Sequence, residues 1–198
     1  MDTKQQILVV ARTLFNKKGY HRVKMRDISN ELGISVGNLT YHFKKKQDLL
    51  EAIHQDTYQS LRKNDTIETL GDLVDLLQGM IKTIFYERYS FIDRTINEEM
   101  PDFMQRQGER SFDVTQHVIN AIRNLRQNHL LEADDATIEV IVQFILLSHI
   151  GWILDIKEIT KEVEYDFIKK HLNLLKVYLT EEGLIEYNGL MEIYSKTE

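Results

Sequence analysis

The sequence contains no cysteine and a single proline in 198 residues. Without cysteine there is no disulfide framework, no thiolate-zinc site and no cysteine nucleophile, and a reducing compartment suits such a chain. With one proline and nine glycines, few positions interrupt a helix, which predicts an all-α protein. Long apolar runs are also missing. The most apolar stretch, residues 140–154, is broken by Gln143, Ser148 and His149. It falls short of the roughly 18 unbroken apolar residues of a membrane span, so it reads as a buried core helix. The opening residues 1–6 are polar and carry no apolar signal-peptide segment. A cytoplasmic protein with no membrane association is expected.

Recognisable catalytic motifs are absent as well. There is no Gly-x-Ser-x-Gly elbow, no phosphate-cradling glycine loop and no His-Glu-x-x-His pair. Glu98 and Glu99 are adjacent, so on a helix they face different ways. His117, His129 and His149 lack the spacing of metal ligands. No enzyme, no metal and no cofactor are expected.

What is present is an ordinary globular composition, 42% hydrophobic and 28% charged, which excludes a disordered chain. The net charge of −6 conceals an asymmetry. Residues 1–63 carry twelve Lys/Arg against six Asp/Glu, a net +6, whereas residues 64–198 carry thirteen against twenty-five, a net −12. A basic N-terminal third on an acidic remainder is the footprint of a module that meets polyphosphate.

That third has a readable local grammar. Thr3 and Gln6 have capping-box spacing, and Ile7, Val10, Ala11, Leu14 and Phe15 form one apolar helical face that ends at Gly19. Met25, Ile28, Ser29 and Leu32 predict a short second helix. Gly33 follows where a left-handed residue reverses the chain, Ile34 plugs the turn, and Ser35 caps a third helix running to about His42. Leu39 turns that helix into the core, and the small Ser29 lets the two helices cross closely. This is the spacing of a helix-turn-helix.

Two segments carry a closer likeness. The run Ile7-Leu8-x-x-Ala11-x-x-Leu14-Phe15-x-x-x-Gly19-Tyr20 and the run Met25-Arg26-Asp27-Ile28-Ser29-x-x-Leu32-Gly33-Ile34-Ser35-x-Gly37-x-Leu39-x-Tyr41-His42-Phe43-x-x-Lys46-x-x-Leu49 resemble the TetR family of transcription regulators, in register over about residues 3–50. The resemblance implies a three-helix DNA-binding domain at 1–46 and a helical ligand-binding and dimerisation domain at 47–198, joined by a linking helix at about 47–63. It puts Ser35, Val36, Gly37, Asn38, Tyr41 and His42 at the DNA. Asn38 is the candidate reader of a base edge and Val36 of a thymine methyl, with Tyr41 and His42 on phosphate or sugar. Lys46 matches the phosphate-binding lysine of the family, and Lys44 and Lys45 add charge beside it. Two positions depart from the pattern. Lys24 stands where a capping threonine is common, and Leu39-Thr40 replaces a Leu-Tyr pair. Lys24 and Thr40 are expected to reach phosphate in their place.

Beyond the linking helix, Asn64-Asp65-Thr66 marks a boundary. Helices are expected at about 68–88, 89–98, 102–129, 134–156 and 161–179, with a shorter C-terminal piece. The 134–156 segment is apolar nearly all round, which predicts burial on all sides, and 161–179 has the 3-4 spacing of a packed seam. By resemblance these two helices form the homodimer interface. Met80, Phe85, Tyr86, Tyr89, Phe103, Met104, Phe144 and Trp152 are candidate walls of an effector pocket, with His117 and His149 as polar anchors. The implied function is a repressor released from a palindromic operator in duplex DNA by a small apolar or amphipathic effector. The alternative is an architectural or cell-division factor that has no effector.

Overall fold

The computed structural model describes residues 2–61, 66–156 and 158–195, with side chains described for all of these except 91, 92, 94, 95, 97, 153–155 and 195. The described residues are helical and contain no strand. Eleven helices are present among them: α1 (Thr3–Lys18), α2 (Met25–Leu32), α3 (Val36–His42), α4 (Lys46–Leu61), α5 (Leu70–Tyr86), α6 (Arg88–Ile92), α7 (Arg94–Glu99), α8 (Pro101–Gln127), α9 (Asp135–Asp155), α10 (Lys161–Leu175) and α11 (Glu181–Ser195). The expected interruption at Asn64-Asp65 lies outside the described residues, as do Arg62 and Lys63 of the linking segment.

The contacts divide the chain into two units. The first, the head, comprises residues up to Ser60 together with Tyr86–Arg110; the second, the body, comprises Leu61–Phe85 and the residues from Ser111 onward. Sequence placed a boundary at 46/47, whereas the packed unit is larger. The reason is one shared apolar cluster. Ile7, Ala11, Leu14 and Phe15 of α1, Ile28 of α2 and Leu39 of α3 bury their side chains with Leu49, Leu50 and Ile53 of α4. Tyr89, Ile96, Met100 and Phe103 of the 86–110 segment belong to that same cluster.

In the body, α5, α8, α9, α10 and α11 enclose a second cluster, including Leu73, Leu77, Ile122, Leu125, Ile138, Val142, Ile145, Phe167, Ile168 and Leu172. α9 is long and apolar enough to cross a membrane by length and composition. Its polar Gln143, Ser148 and His149 and its inward Ile138, Ile141, Val142 and Ile145 are instead those of a core helix. Burial is one-sided, however. Val140, Phe144, Leu147 and Ile150 are exposed, so the expectation of burial on every side is not met within a single chain.

Helix ends explain most of the remaining differences from the sequence reading. α1 is capped by Asp2, whose carboxylate accepts from the Gln5 N–H at 2.7 Å. Thr3 is thus the first helical residue and not the cap; an aspartate at this position adds a favourable charge at the helix N-terminus. The segment expected as one helix at 89–98 is two, because the chain turns out of the helix at Asp93. The C-terminal piece is a full helix, α11, of 15 residues. Its start is fastened by Thr180, whose hydroxyl accepts from the Gly183 N–H at 3.1 Å and donates to the His129 carbonyl at 2.6 Å. Gly183 is required there: a Cβ would stand 2.0 Å from the Leu130 carbonyl oxygen.

Candidate nucleic-acid interface

Local chemistry builds the turn between α2 and α3. The Asp27 carboxylate accepts from the Lys24 N–H at 2.8 Å, so α2 is capped from its own third residue although Lys24 offers no acceptor. Ser29 is buried and returns its hydroxyl to the Arg26 carbonyl at 3.0 Å. Gly33 ends α2 in the left-handed region, φ 66°, a conformation that costs a side chain energy and glycine almost nothing. Its N–H bonds Asn30 and the next N–H, of Ile34, bonds Ser29 at 3.0 Å. Ser35 then caps α3, accepting from the Asn38 N–H at 3.0 Å. Gly33 and Ser35 thus have the structural roles expected of them.

α3 has two contrasting faces. Leu39 is fully buried and Phe43, four residues on, is buried beside it. On the opposite side Ser35, Val36, Gly37, Asn38 and Tyr41 are exposed, Tyr41 at 85%. A bulky aromatic held in water on a seven-residue helix contributes nothing to the core. A Cβ added at Gly37 would come within 4 Å only of Ser35 Oγ, at 3.8 Å, so the surface is open there. Thr40 is half-buried and donates to the Gly37 carbonyl at 3.1 Å. His42 is half-buried, edge-on to Tyr41 with ring centroids 5.3 Å apart. Exposed cations flank this face: Lys24, Arg26, Lys44 and Lys45.

Lys46 behaves differently from these. It begins α4, half-buried, and its Nζ donates to the carbonyls of Tyr20 at 2.8 Å and His21 at 3.3 Å. It also lies 4.1 Å from the Tyr20 ring centroid, a cation–π distance. Burial lowers its pKa, with Glu99 and Asp93 acting in the opposite direction. Lys46 therefore holds the chain after α1 as well as carrying charge, a role that the motif did not reveal.

A buried polar network in the same unit was not foreseen either. His54 of α4, 4% exposed, places Nδ1 2.8 Å from a Glu87 carboxylate oxygen. Thr57 donates to the other Glu87 oxygen, and Arg12 of α1 donates to the Thr57 hydroxyl at 3.1 Å. The Gln107 amide closes on His54 Nδ1, and the Tyr89 hydroxyl stands 3.5 Å from Nε2. Burial, followed by the Glu87 charge, keeps the Tyr89 phenol protonated well beyond the ordinary range. The available signal was register: His54 lies four residues after Leu50, on the face that α4 buries.

The candidate effector residues fall into two groups. Tyr86, Tyr89, Phe103 and Met104 belong to the head, where Tyr89 and Phe103 are core. Phe85, His117, Phe144, His149 and Trp152 belong to the body. There Met80 is buried core, Phe85 and Trp152 pack at the edge of the core, His117 is half-buried on α8, and Phe144 is 62% exposed. His149 alone among them is completely buried, with its ring edge-on to Phe167 at 4.4 Å. A surface cleft of about 730 Å³ in the body is lined by Arg126, His129, Leu131, Glu132, Thr180, Glu181 and Glu182, none of them expected.

Comparison with known proteins bears on the same segment. Residues 7–53 match the family described as bacterial regulatory proteins, tetR family. The chain is 33% identical over 92 residues to the "Probable HTH-type transcriptional regulator YttP" of Bacillus subtilis, spanning 44% of each protein. It is 27% identical over 139 residues to the HTH-type transcriptional regulator UidR of Escherichia coli, covering 67% of this chain and 70% of that one. Among solved structures, a TetR-family transcriptional regulator from Marinobacter aquaeolei superposes with a TM-score of 0.80 at 23% identity, covering 98% of this chain and 99% of the other. This last match extends the shared fold over both units. The relatives named are regulators, not enzymes.

Proposed function

We propose that the chain, whose residues 7–53 match the tetR family of bacterial regulatory proteins, is a cytoplasmic homodimeric repressor that leaves its palindromic operator when a small apolar or amphipathic molecule binds the body. The observation that carries the DNA reading is the outward face of α3. Ser35, Val36, Gly37, Asn38 and Tyr41 are held in water by a turn whose own polar groups are already bonded, so their chemistry is free for a partner. Side chains near the N-terminus of such a helix reach base edges in the major groove. Asn38 has both donor and acceptor, as an adenine edge requires. Tyr41 and the exposed Lys24, Lys44 and Lys45 suit phosphate, with Thr40 and His42 nearer the backbone and Lys46 fixing the turn that presents them.

Dimerisation is supported by α9. Val140, Phe144, Leu147 and Ile150 recur at helical spacing on one exposed side, and water is a poor environment for four such side chains in a row. A second copy of α9, flanked by α10 with its exposed Leu174, covers them and supplies the second reading head. Two heads on one DNA face require recognition helices ~34–36 Å apart.

The test is selection from random duplex DNA at fixed near-physiological salt, with wild type and Asn38→Ala. An enriched inverted repeat is expected, and the variant is expected to lose preference at one position per half-site while still binding. Failure to enrich any sequence, or an unchanged preference in the variant, overturns the assignment.

A further inference from the structure

The chain between α1 and α2 forms a fixed turn. The buried side chains of Tyr20 and Val23 anchor its two ends, and the Val23 N–H closes it on the Tyr20 carbonyl at 3.3 Å. Neighbouring elements of the head hold the backbone in between. The His21 N–H donates to the Asp93 carboxylate at 3.3 Å, and the Tyr20 hydroxyl donates to the Met100 sulfur at 3.8 Å. Lys46 Nζ, from the first residue of α4, reaches the carbonyls of both Tyr20 and His21 and lies over the Tyr20 ring. An ammonium has three donors, and two carbonyls and a ring face are as many contacts as it can make. A phosphate reaches Lys46 only by displacing one of them.

Arg22 is the opposite case. It stands between the two anchors, exposed, and its guanidinium has no partner among the described residues. Arg12, Arg106 and Arg110 of the same unit are engaged by carboxylates or polar side chains. The carboxylates beside the turn are engaged elsewhere: Asp93 by the His21 N–H, Asp27 by the Lys24 N–H, and Glu99 4.0 Å from the His21 ring. In a helix-turn-helix the first helix crosses the DNA backbone while the second enters the groove. Arg22 lies just ahead of that first helix, α2, which begins at Met25. Its paired N–H donors match phosphate oxygens, and a backbone already held in place lowers the ordering cost of the contact. We propose that the turn at residues 20–23 is a second DNA contact beside α3, with Arg22 as its phosphate ligand and Lys46 as the positioning residue that holds the turn. This rests on the DNA-binding reading, adds a residue to its interface and assigns Lys46 to the turn instead of to the phosphate.

Each phosphate contact contributes about 0.9 to the slope of log affinity against log salt concentration, which separates a lost contact from a general loss of fit. Binding of the full-length protein to a random-sequence duplex pool is followed by fluorescence anisotropy over a range of salt concentrations. Arg22→Gln is expected to make the slope shallower by about 0.9 for each head engaged, and Arg22→Lys to retain the wild-type slope. Lys161→Gln, which removes an exposed cation of the body, controls for net charge and should leave the slope unchanged. Lys46→Met releases the turn, so it is expected to reduce the slope as Arg22→Gln does, and the double variant should show no further reduction. An Arg22→Gln slope equal to that of wild type, or a change matched by Lys161→Gln, overturns the proposal with no appeal to the Lys46 variants. A Lys46→Met slope equal to wild type, or a double variant whose slope falls by the sum of the two, overturns the positioning role. Random duplex keeps the two readings apart. A wild type that binds it but selects no sequence removes the operator reading and leaves this test standing, whereas selective binding with an unchanged Arg22→Gln slope removes this contact alone.

Discussion

His54 in the head and His149 in the body are both almost sealed from water, yet their surroundings are opposites. His54 has a carboxylate at 2.8 Å, and that carboxylate is bonded in turn to Thr57, which takes a further bond from Arg12. The His149 ring bonds backbone, at the carbonyls of Ile145 and Leu77. A network that links several buried side chains favours one arrangement, because moving one member breaks the bonds of the others. The head histidine ties α4 to the 86–110 segment, whereas the body histidine is held by a carbonyl of its own helix.

Substitutions can break or sharpen this contrast. Glu87→Ala leaves His54 and Thr57 without their common partner. Leaving two buried hydrogen-bonding groups unpaired costs on the order of 3 kcal/mol, so a large fall in the urea midpoint is expected; a variant as stable as wild type would mean that the head network is dispensable. Gly183→Ala tests whether the body is loose throughout. Its new methyl meets the Leu130 carbonyl, and overpacking against backbone costs about 2 kcal/mol, read as a lower thermal midpoint. Ser35→Ala removes the α3 cap, with an expected loss of about 1 kcal/mol by denaturant unfolding.

The smallest effect is expected for His149→Phe. An apolar ring replaces a buried polar one, so stability at pH 7.5 should stay within about 1 kcal/mol of wild type. The pH dependence should change more. An unfolded histidine titrates near 6.5 and folded His149 near 4. Between those values the unfolded chain binds the extra proton, so acid destabilises the wild type as pH falls from 6.5 to 4, with no contribution above that window. His171 is lowered by burial in the same direction and remains in the variant. The gap between urea midpoints at pH 7.5 and pH 5 should therefore narrow in His149→Phe; an equal gap would show that His149 is not the buried neutral group described.

The two regions also differ in how much their residues disclosed in advance. Gly33, Ser35 and the α3 contrast between Leu39 and Tyr41 were legible because their causes lie within four residues. The error at Thr3 was of the same local kind, two adjacent acceptors of which the charged one caps. His54 and Glu87 meet across 33 positions of sequence, and no period or motif connects them. The all-helical class and the positions of α5, α8, α9 and α10 followed from periodicity and punctuation. The full length of α11 did not, since its start depends on Thr180 reaching the His129 carbonyl across 51 positions. Of the candidate effector residues, Met80, Tyr89 and Phe103 are buried in core clusters, and Tyr86 and Phe144 are exposed. Side-chain size alone does not distinguish a wall from packing, and the complete burial of His149 is a property of the fold.

The one-sided burial of α9 has a thermodynamic consequence. With Val140, Phe144, Leu147 and Ile150 in water, the association proposed through α9 would stabilise the chain by mass action. Its melting temperature would then depend on how much protein is in the tube, rising with concentration as few monomeric proteins do. In a cell, such a dimer would make dilution itself a signal, since separated chains would lose that stabilisation and the amount of associated protein would respond to expression more steeply than in proportion.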